Sequence, residues 1–329
     1  MNETMDTFNL LSALKNNQTV SIFTHIRPDG DAIGSSLAWK RIISLNTECF
    51  VSVYCPDTIP SKYHFLPGVE EFQQTVERSI DHDLVFVLDC SDFERLDYLK
   101  ESVQANTQIV NIDHHTTNVY FGRYNLVHTS AAATAEVIFS LCNEYDLHVD
   151  KDAAFCLFTA ISSDTGSFKY DNTTPNTLRI SADLLDKDIK PSLISQKLFD
   201  ERPYSTLVLL GEALKSLTLD PNQKIAWMGV DDEQIVKSGA KPAELDGFVN
   251  YLRDIEGVEV GIFFYHSSRG HTKVGFRSKS LDVSCIAFSF GGGGHPRAAG
   301  CTVESTPSTA VKQVLQAVHA AMEEQSCKK

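Results

Sequence analysis

Asp113-His114-His115 comes directly after the largely apolar run Ile109-Val110-Asn111-Ile112. Upstream, His25-Ile26-Arg27-Pro28-Asp29-Gly30-Asp31 follows another such run, Val20 to Thr24, and Asp89 ends a third, Leu84 to Leu88. Imidazole and carboxylate together suit a divalent transition metal, and a pair of metals needs a carboxylate to bridge them. Three strand-like runs, each with such ligands at its carboxyl end, match the place where open α/β sheets keep their active sites. The chemistry these residue types point to is two-metal hydrolysis.

Taken singly, each segment has an ordinary explanation. Asp29-Gly30-Asp31 reads as a surface turn leading into a helix, and an aspartate after a strand is often a helix N-cap. A calcium loop is excluded, because the EF-hand ligand series and its closing glutamate are missing. Asp113-His114-His115 is stronger, since two adjacent histidines after an apolar strand cannot both be core residues. Asp164, in Ala160-Ile161-Ser162-Ser163-Asp164-Thr165-Gly166, ends an apolar helix. In Thr129-Ser130-Ala131-Ala132-Ala133-Thr134, Ser130 or Thr134 reads most simply as an N-cap. The conjunction of four such segments is what carries the argument.

The elements that must position these residues alternate between strand and helix. Thr19–Thr24, Cys49–Tyr54, Leu84–Leu88 and Ile109–Ile112 read as strands; the helix that starts at Asp31 and those over Ala131–Glu144 and Ala153–Ser163 lie between or after them. Continuous rather than alternating apolar runs indicate a mostly parallel sheet covered on both faces, hence a doubly wound α/β domain. A smaller α/β domain follows, with strands at Lys224–Val230, Val258–Tyr265, Thr272–Ser278 and Cys301–Val303 and helices at Pro242–Leu252 and Ser308–Glu324. With 329 residues the chain is long for one core. The expected division is a catalytic domain over 1–188, a helical linker over 189–219 and a substrate-binding domain over 220–329.

Composition limits the partners. The net charge of −14 makes long duplex nucleic acid a poor ligand, whereas a small anion can still meet local metal charge. Met1–Asp6 lacks a basic stretch followed by an apolar core, and no apolar run approaches a membrane span, so a cytoplasmic protein is expected. None of the eight cysteines forms a Cys-x-x-Cys pair, which argues against a zinc cage or disulfide framework. Cys90, beside Asp89, reads as a packing residue. Four consecutive glycines, Gly291 to Gly294, run into His295-Pro296-Arg297, where backbone N–H groups could form an anion nest.

Together the four ligand segments resemble the motifs of the DHH phosphoesterase superfamily. Gly291–Gly300 resembles the signature of its associated C-terminal domain, also found in RecJ exonucleases and appended to alanyl-tRNA synthetase. The likeness spans roughly residues 15 to 325. In length and domain order it looks like the stand-alone oligoribonuclease (nanoRNase) and pAp-phosphatase subfamily.

The resemblance implies two Mn²⁺ ions, with Mg²⁺ or another divalent metal as the substitute. One would be held by His25, Asp29 and Asp89, the other by Asp31, Asp89, His114 and Asp164, with Asp89 as the bridge. It also implies that His115 contacts the scissile phosphate or protonates the leaving oxygen, and that Asp113 orients a histidine. Arg277, with Gly293, Gly294, His295 and Arg297, would hold substrate phosphate in a cleft between the domains. The implied activity is hydrolysis of short oligoribonucleotides such as pApA to nucleoside 5′-monophosphates, together with removal of the 3′-phosphate of pAp. Cyclic di-AMP or another cyclic dinucleotide, single-stranded DNA in the manner of RecJ, and nucleotide sensing without turnover are the rival readings. Family II pyrophosphatase is disfavoured, as its second domain lacks the glycine-rich segment. A homodimer is compatible with the sequence.

Overall fold

A computed structural model of the chain describes residues 9–16, 19–75 and 83–327. It divides into two compact units, 1–201 and 202–329. The first unit is built on β1 (Thr19–Phe23), β2 (Phe50–Tyr54), β3 (Phe72–Gln73), β4 (Leu84–Leu88), β5 (Gln108–Asp113) and β6 (Tyr124–Val127). All pair in parallel, in the order β3-β2-β1-β4-β5-β6. Chain direction across the sheet reverses between β1 and β4, the switch point at which such sheets form a crevice.

The central strands are largely apolar because both faces are covered. Val20, Ile22, Leu84, Phe86 and Leu88 join a large core beneath the helices, whereas Phe23, Val85 and Val87 pack with Leu96 and Leu99 on the other side. The helices of this unit are α1 (Leu10–Asn16), α2 (Gly30–Asn46), α3 (Thr134–Glu144), α4 (Lys151–Asp164), α5 (Pro175–Leu185) and the short α6 (Pro191–Ser195). On the second face the cover is a 3-10 segment, Phe93–Ser102, rather than a long helix. Strand β6 and helix α5 add to the expected elements. Helix α3 starts at Thr134 rather than Ala131, for a reason that lies in the site.

Helix α2 is buried on nearly every side, which removes the usual polar stripe. Its glycines allow α4 to approach. A Cβ on Gly34 would lie 2.6 Å from the Cys156 carbonyl oxygen and 3.0 Å from Ala160 Cβ, and one on Gly30 would meet Ser163. The two contacts bring the start of α2 against the end of α4, and so Asp31 towards Asp164.

In the second unit, α7 (Tyr204–Lys215) packs Leu209, Leu210 and Ala213 into a core with Ala226, Met228 and Val230. The stretch expected as a separate linker is therefore divided, with α6 in the first unit and α7 in the second. The remaining elements are β7 (Thr218–Leu219), β8 (Ile225–Asp231), α8 (Asp232–Ser238), α9 (Phe248–Arg253), β9 (Val260–His266), β10 (Thr272–Ser278), α10 (Ser284–Ser289), β11 (Gly293–His295), β12 (Ala298–Val303) and α11 (Pro307–Cys327). Sheet order is β11-β12-β10-β9-β8-β7, with only β8 and β9 parallel. The helix read over Pro242–Leu252 is broken: Gly247 adopts a left-handed φ of +83° between a 3-10 turn and α9. Among the described residues, no helix is long and apolar enough to cross a membrane.

Substituting Gly34→Val should force α2 and α4 apart and cost about 1–3 kcal/mol, read as a lower midpoint in urea unfolding. An unchanged midpoint would mean that the helix contact relaxes freely and does not set the position of Asp164.

Candidate metal centre

Every expected metal ligand reaches one place at the carboxyl ends of β1, β4 and β5. His25 lies two residues beyond β1, Asp89 is the first residue after β4, and Asp113 closes β5 with His114 and His115 next. Asp29 and Asp31 lie at the start of α2, and Asp164 ends α4. Three sets of ligand atoms each lie within 4.8 Å of one another: His25, Asp29 and Asp89; Asp31, His114 and Asp164; and Asp89, His114 and His115. Asp89 belongs to two of these sets. Its Oδ2 is 3.6 Å from His25 Nε2, and its Oδ1 is 3.5 Å from His114 Nε2.

The backbone directs these side chains. Asp89 has a left-handed φ of +55°, a strained conformation that aspartate tolerates better than most residues, at the turn just after the strand. Asp29 is also an N-cap: its Oδ1 accepts from the N–H groups of Asp31 and Ala32, both at 3.1 Å, which leaves its second oxygen for another partner. Asp31 caps a helix that is not its own. Its Oδ2 accepts from Thr134 N at 2.6 Å, and its Oδ1 accepts from Ala135 N at 3.2 Å and Ser35 Oγ at 2.7 Å. Ala133, the residue at the cap position of α3, has no side chain that could do this. Thr134 is accordingly not an N-cap; its hydroxyl donates to Asp89 Oδ1 at 2.9 Å.

Electrostatics oppose this arrangement without added positive charge. Asp31 and Asp89 are fully buried, and Asp164 largely so. Burial, with the charges of Asp89 and Asp164, holds Asp31 well above the usual carboxylate range. Asp164 is raised to about 7 by burial and the charges of Asp29 and Asp89, despite the favourable contact with His114. For His114, burial opposes the cation, but Asp164, Asp89 and Asp31 outweigh it and push the imidazole up to about 11. Asp89 goes the other way: contact with His25 and the charges of His114, His115 and His25 overcome its burial. The cluster therefore collects protons on both acids and imidazoles where a multivalent cation could take their place. His114 Nε2 points the same way, since it is buried without a hydrogen-bond partner and is 3.3–3.7 Å from three carboxylates. Hard oxygen and borderline nitrogen donors in this ratio fit a divalent ion.

A chain of buried hydrogen bonds supports His115. Its Nδ1 is 2.7 Å from Asp113 Oδ1. Asp113 Oδ2 accepts from Asn118 Nδ2 at 2.6 Å, and the same amide reaches Asn111 Oδ1 at 2.7 Å. Arg95, on the 3-10 segment, places Nη2 2.9 Å from His25 Nδ1. Cys90 is a buried packing residue whose thiol is pushed up to about 12 by desolvation.

The remaining expected residues lie on the second unit's sheet. Arg277 on β10 and His295 on β11 both register with Ala298 on β12, so the three share one face. The next row on that face is Gly275, Gly300 and Gly293, a strip of backbone without side chains. A Cβ on Gly275 or Gly293 would meet open space. Gly293 and Gly294 thus belong to an edge strand rather than a loop nest, and Arg297 lies exposed in the following turn.

A carboxylate–imidazole cluster at the switch point of a parallel sheet offers the donor set that a divalent-metal hydrolase needs. Residues 19–161 match the N-terminal domain of the DHH family and residues 222–324 match the DHHA1 domain. The chain belongs to this family. It is 33% identical over 302 residues to the bifunctional oligoribonuclease and PAP phosphatase NrnA of Thermus thermophilus, covering 91% of this chain and 89% of that one. The Bacillus subtilis protein of the same name is 28% identical over 298 residues, covering 87% and 90%. The crystal structure of an exopolyphosphatase-related protein from Bacteroides fragilis superposes with a TM-score of 0.86 at 25% identity, covering 95% and 94% of the two chains.

Metal affinity should rise with pH, because binding must displace protons held by His114 and Asp164. Titration calorimetry of the metal-free protein with Mn²⁺ between about pH 6 and about pH 8 should show tightening and net proton release. Binding with no change in affinity and no proton release would contradict the cluster's charge state.

Proposed function

We propose that this chain is a manganese-dependent phosphodiesterase that cleaves short oligoribonucleotides such as pApA to nucleoside 5′-monophosphates and removes the 3′-phosphate of pAp. The observation that carries the reading is Asp89, shared between one ligand set with His25 and Asp29 and another with His114. The names of the relatives support the substrate class.

In this reading His25, Asp29 and Asp89 hold one ion and Asp31, Asp89, His114 and Asp164 the other. Bound there, the ions supply a water acidified toward neutrality and positive charge for the phosphate oxygens. The chain's own groups do the rest. Asp113, whose carboxyl is lowered by His115 and Asn118 against its burial, stays ionised and keeps His115 oriented and protonated. His115 Nε2 then delivers a proton to the departing ribose oxygen. Thr134 fixes one oxygen of Asp89.

On the second unit, Arg277 and His295 hold a terminal phosphate against the glycine strip. Arginine suits this role because its fork bonds phosphate bidentately. Gly293 and Gly294 let the ligand approach the backbone, and Arg297 adds charge at the edge. A grip on a phosphorylated end favours short substrates over long polymers.

Asp89→Ala should abolish hydrolysis of every substrate, exceeding the roughly 10–100-fold loss typical of an outer-shell change, and lower the bound metal per chain. Retained turnover would sink the shared-ligand assignment. Arg277→Ala should raise KM for phosphorylated substrates by about 10–100-fold, the worth of one charge-assisted hydrogen bond, with metal content intact. Unchanged kinetics would remove Arg277 from the site. Product analysis with Mn²⁺ on pApA, pAp, cyclic di-AMP, pyrophosphate and a long RNA tests the whole reading: fast release of AMP from pApA with slow attack on the long RNA is expected. Attack on long RNA as fast as on pApA, or on pyrophosphate alone, would overturn it.

A further inference from the structure

The first unit contains a second polar cavity of about 480 Å³, bordered by His128, Ser130, Glu136, Ser140, Asn176 and Arg179. Its volume is in the range of small-ligand sites. Glu136 is only 2% exposed, and its Oε1 is buried with no hydrogen-bond partner. Buried carboxylate oxygens are normally paired, so an unpartnered one in a residue that borders a cavity is an acceptor suited to a donor from a ligand.

The cavity adjoins the metal centre. Ala131 lines it, and the carbonyl oxygen of that same residue is 3.2 Å from His114 Nδ1. Thr134 and Ala135 give their N–H groups to Asp31, and Glu136 is the next residue along α3. One short stretch, 128–137, thus faces the ligand cluster with some of its groups and the cavity with others. A nucleotide held by its phosphate at the centre would carry its base towards a pocket that shares these residues.

We propose that this cavity binds the base of a nucleotide flanking the scissile phosphate, and that Glu136 selects bases carrying an exocyclic amino group over uracil. The inference rests on the phosphodiesterase reading above. A carboxylate accepts from the amino group of cytosine and likewise from those of adenine and guanine. Uracil presents a single N–H between two carbonyl oxygens, which repel a carboxylate. A site built around a buried polar group discriminates strongly against a ligand that leaves that group unmatched.

Cytosine and uracil have nearly the same shape and differ on this edge, so they make the sharpest comparison. The experiment measures kcat/KM for pCpC, pCpU, pUpC and pUpU with the manganese-loaded wild-type protein and with Glu136→Gln. Wild type should favour cytidine over uridine at one of the two positions by about 10-fold, in keeping with one charge-assisted hydrogen bond. In Glu136→Gln, whose amide can also donate, that preference should collapse or invert. The wild-type ratio needs no variant to fold. Equal rates for cytidine and uridine at both positions would overturn the subsite and leave the phosphodiesterase reading intact. A preference that survives in Glu136→Gln would remove Glu136 as the selector. No hydrolysis of any dinucleotide would overturn the underlying reading itself.

Discussion

Four carboxylates, two of them buried, cannot crowd together in ionised form unless positive charge lies among them. Asp29, Asp31, Asp89 and Asp164 are brought to that situation by the fold, and much of the first unit can be understood as the means of sustaining it. Imidazoles on three sides keep Asp89 ionised. Three donors from two helices hold Asp31. Groups that elsewhere would only cap helices or fill turns are here also gathered into one cluster of candidate ligands. The repulsion is tolerated because the surrounding backbone leaves these residues no alternative position, and that pre-organisation is what a metal site needs.

The division of labour among the histidines follows from their second contacts. His114 is surrounded by carboxylates and has one nitrogen against the Ala131 carbonyl oxygen, which suits a ligand. His115 is tied instead to Asp113, and through Asn118 and Asn111 to the interior of the sheet. Adjacent residues of one type thus acquire different chemistry from the partners that each finds. On the second unit, Arg277 and His295 stand in one row beside a bare glycine row: side-chain donors on one side, backbone without side chains on the other.

The central strands were legible because they are buried on both faces and therefore largely apolar, with Ser21 and Asn111 as polar interruptions. Among the candidate ligands, His25, Asp89 and His114 were legible because they follow strand ends, whereas Asp164 ends a helix. Helix starts were less so: α3 begins at Thr134 because its first N–H groups are satisfied by Asp31, 103 residues earlier, and no local cap signals it. Separation along the chain also hides Thr134, 45 residues from Asp89, and Arg95, 70 residues from His25. Read locally, Thr134 looks like a cap and Arg95 like a surface cation. The glycine run suggested a nest, but pairing with Ala298–Gly300 draws Gly293 to His295 into an edge strand. Local chemistry was readable there and register was not. Pro242–Leu252 reads as one helix until the left-handed turn at Gly247 is known.

The spread of the ligands along the chain has a consequence for how the protein is made. His25 leaves a ribosome well before Asp164, which completes the cluster and emerges only after six strands and most of four helices have been synthesised. Until then, the early acids have neither the helix that closes over them nor the backbone donors of Thr134 and Ala135. The nascent amino-terminal half therefore cannot hold its carboxylates in the native arrangement and keeps them in water. A cluster drawn from both ends of the first unit is complete only when most of that unit is complete.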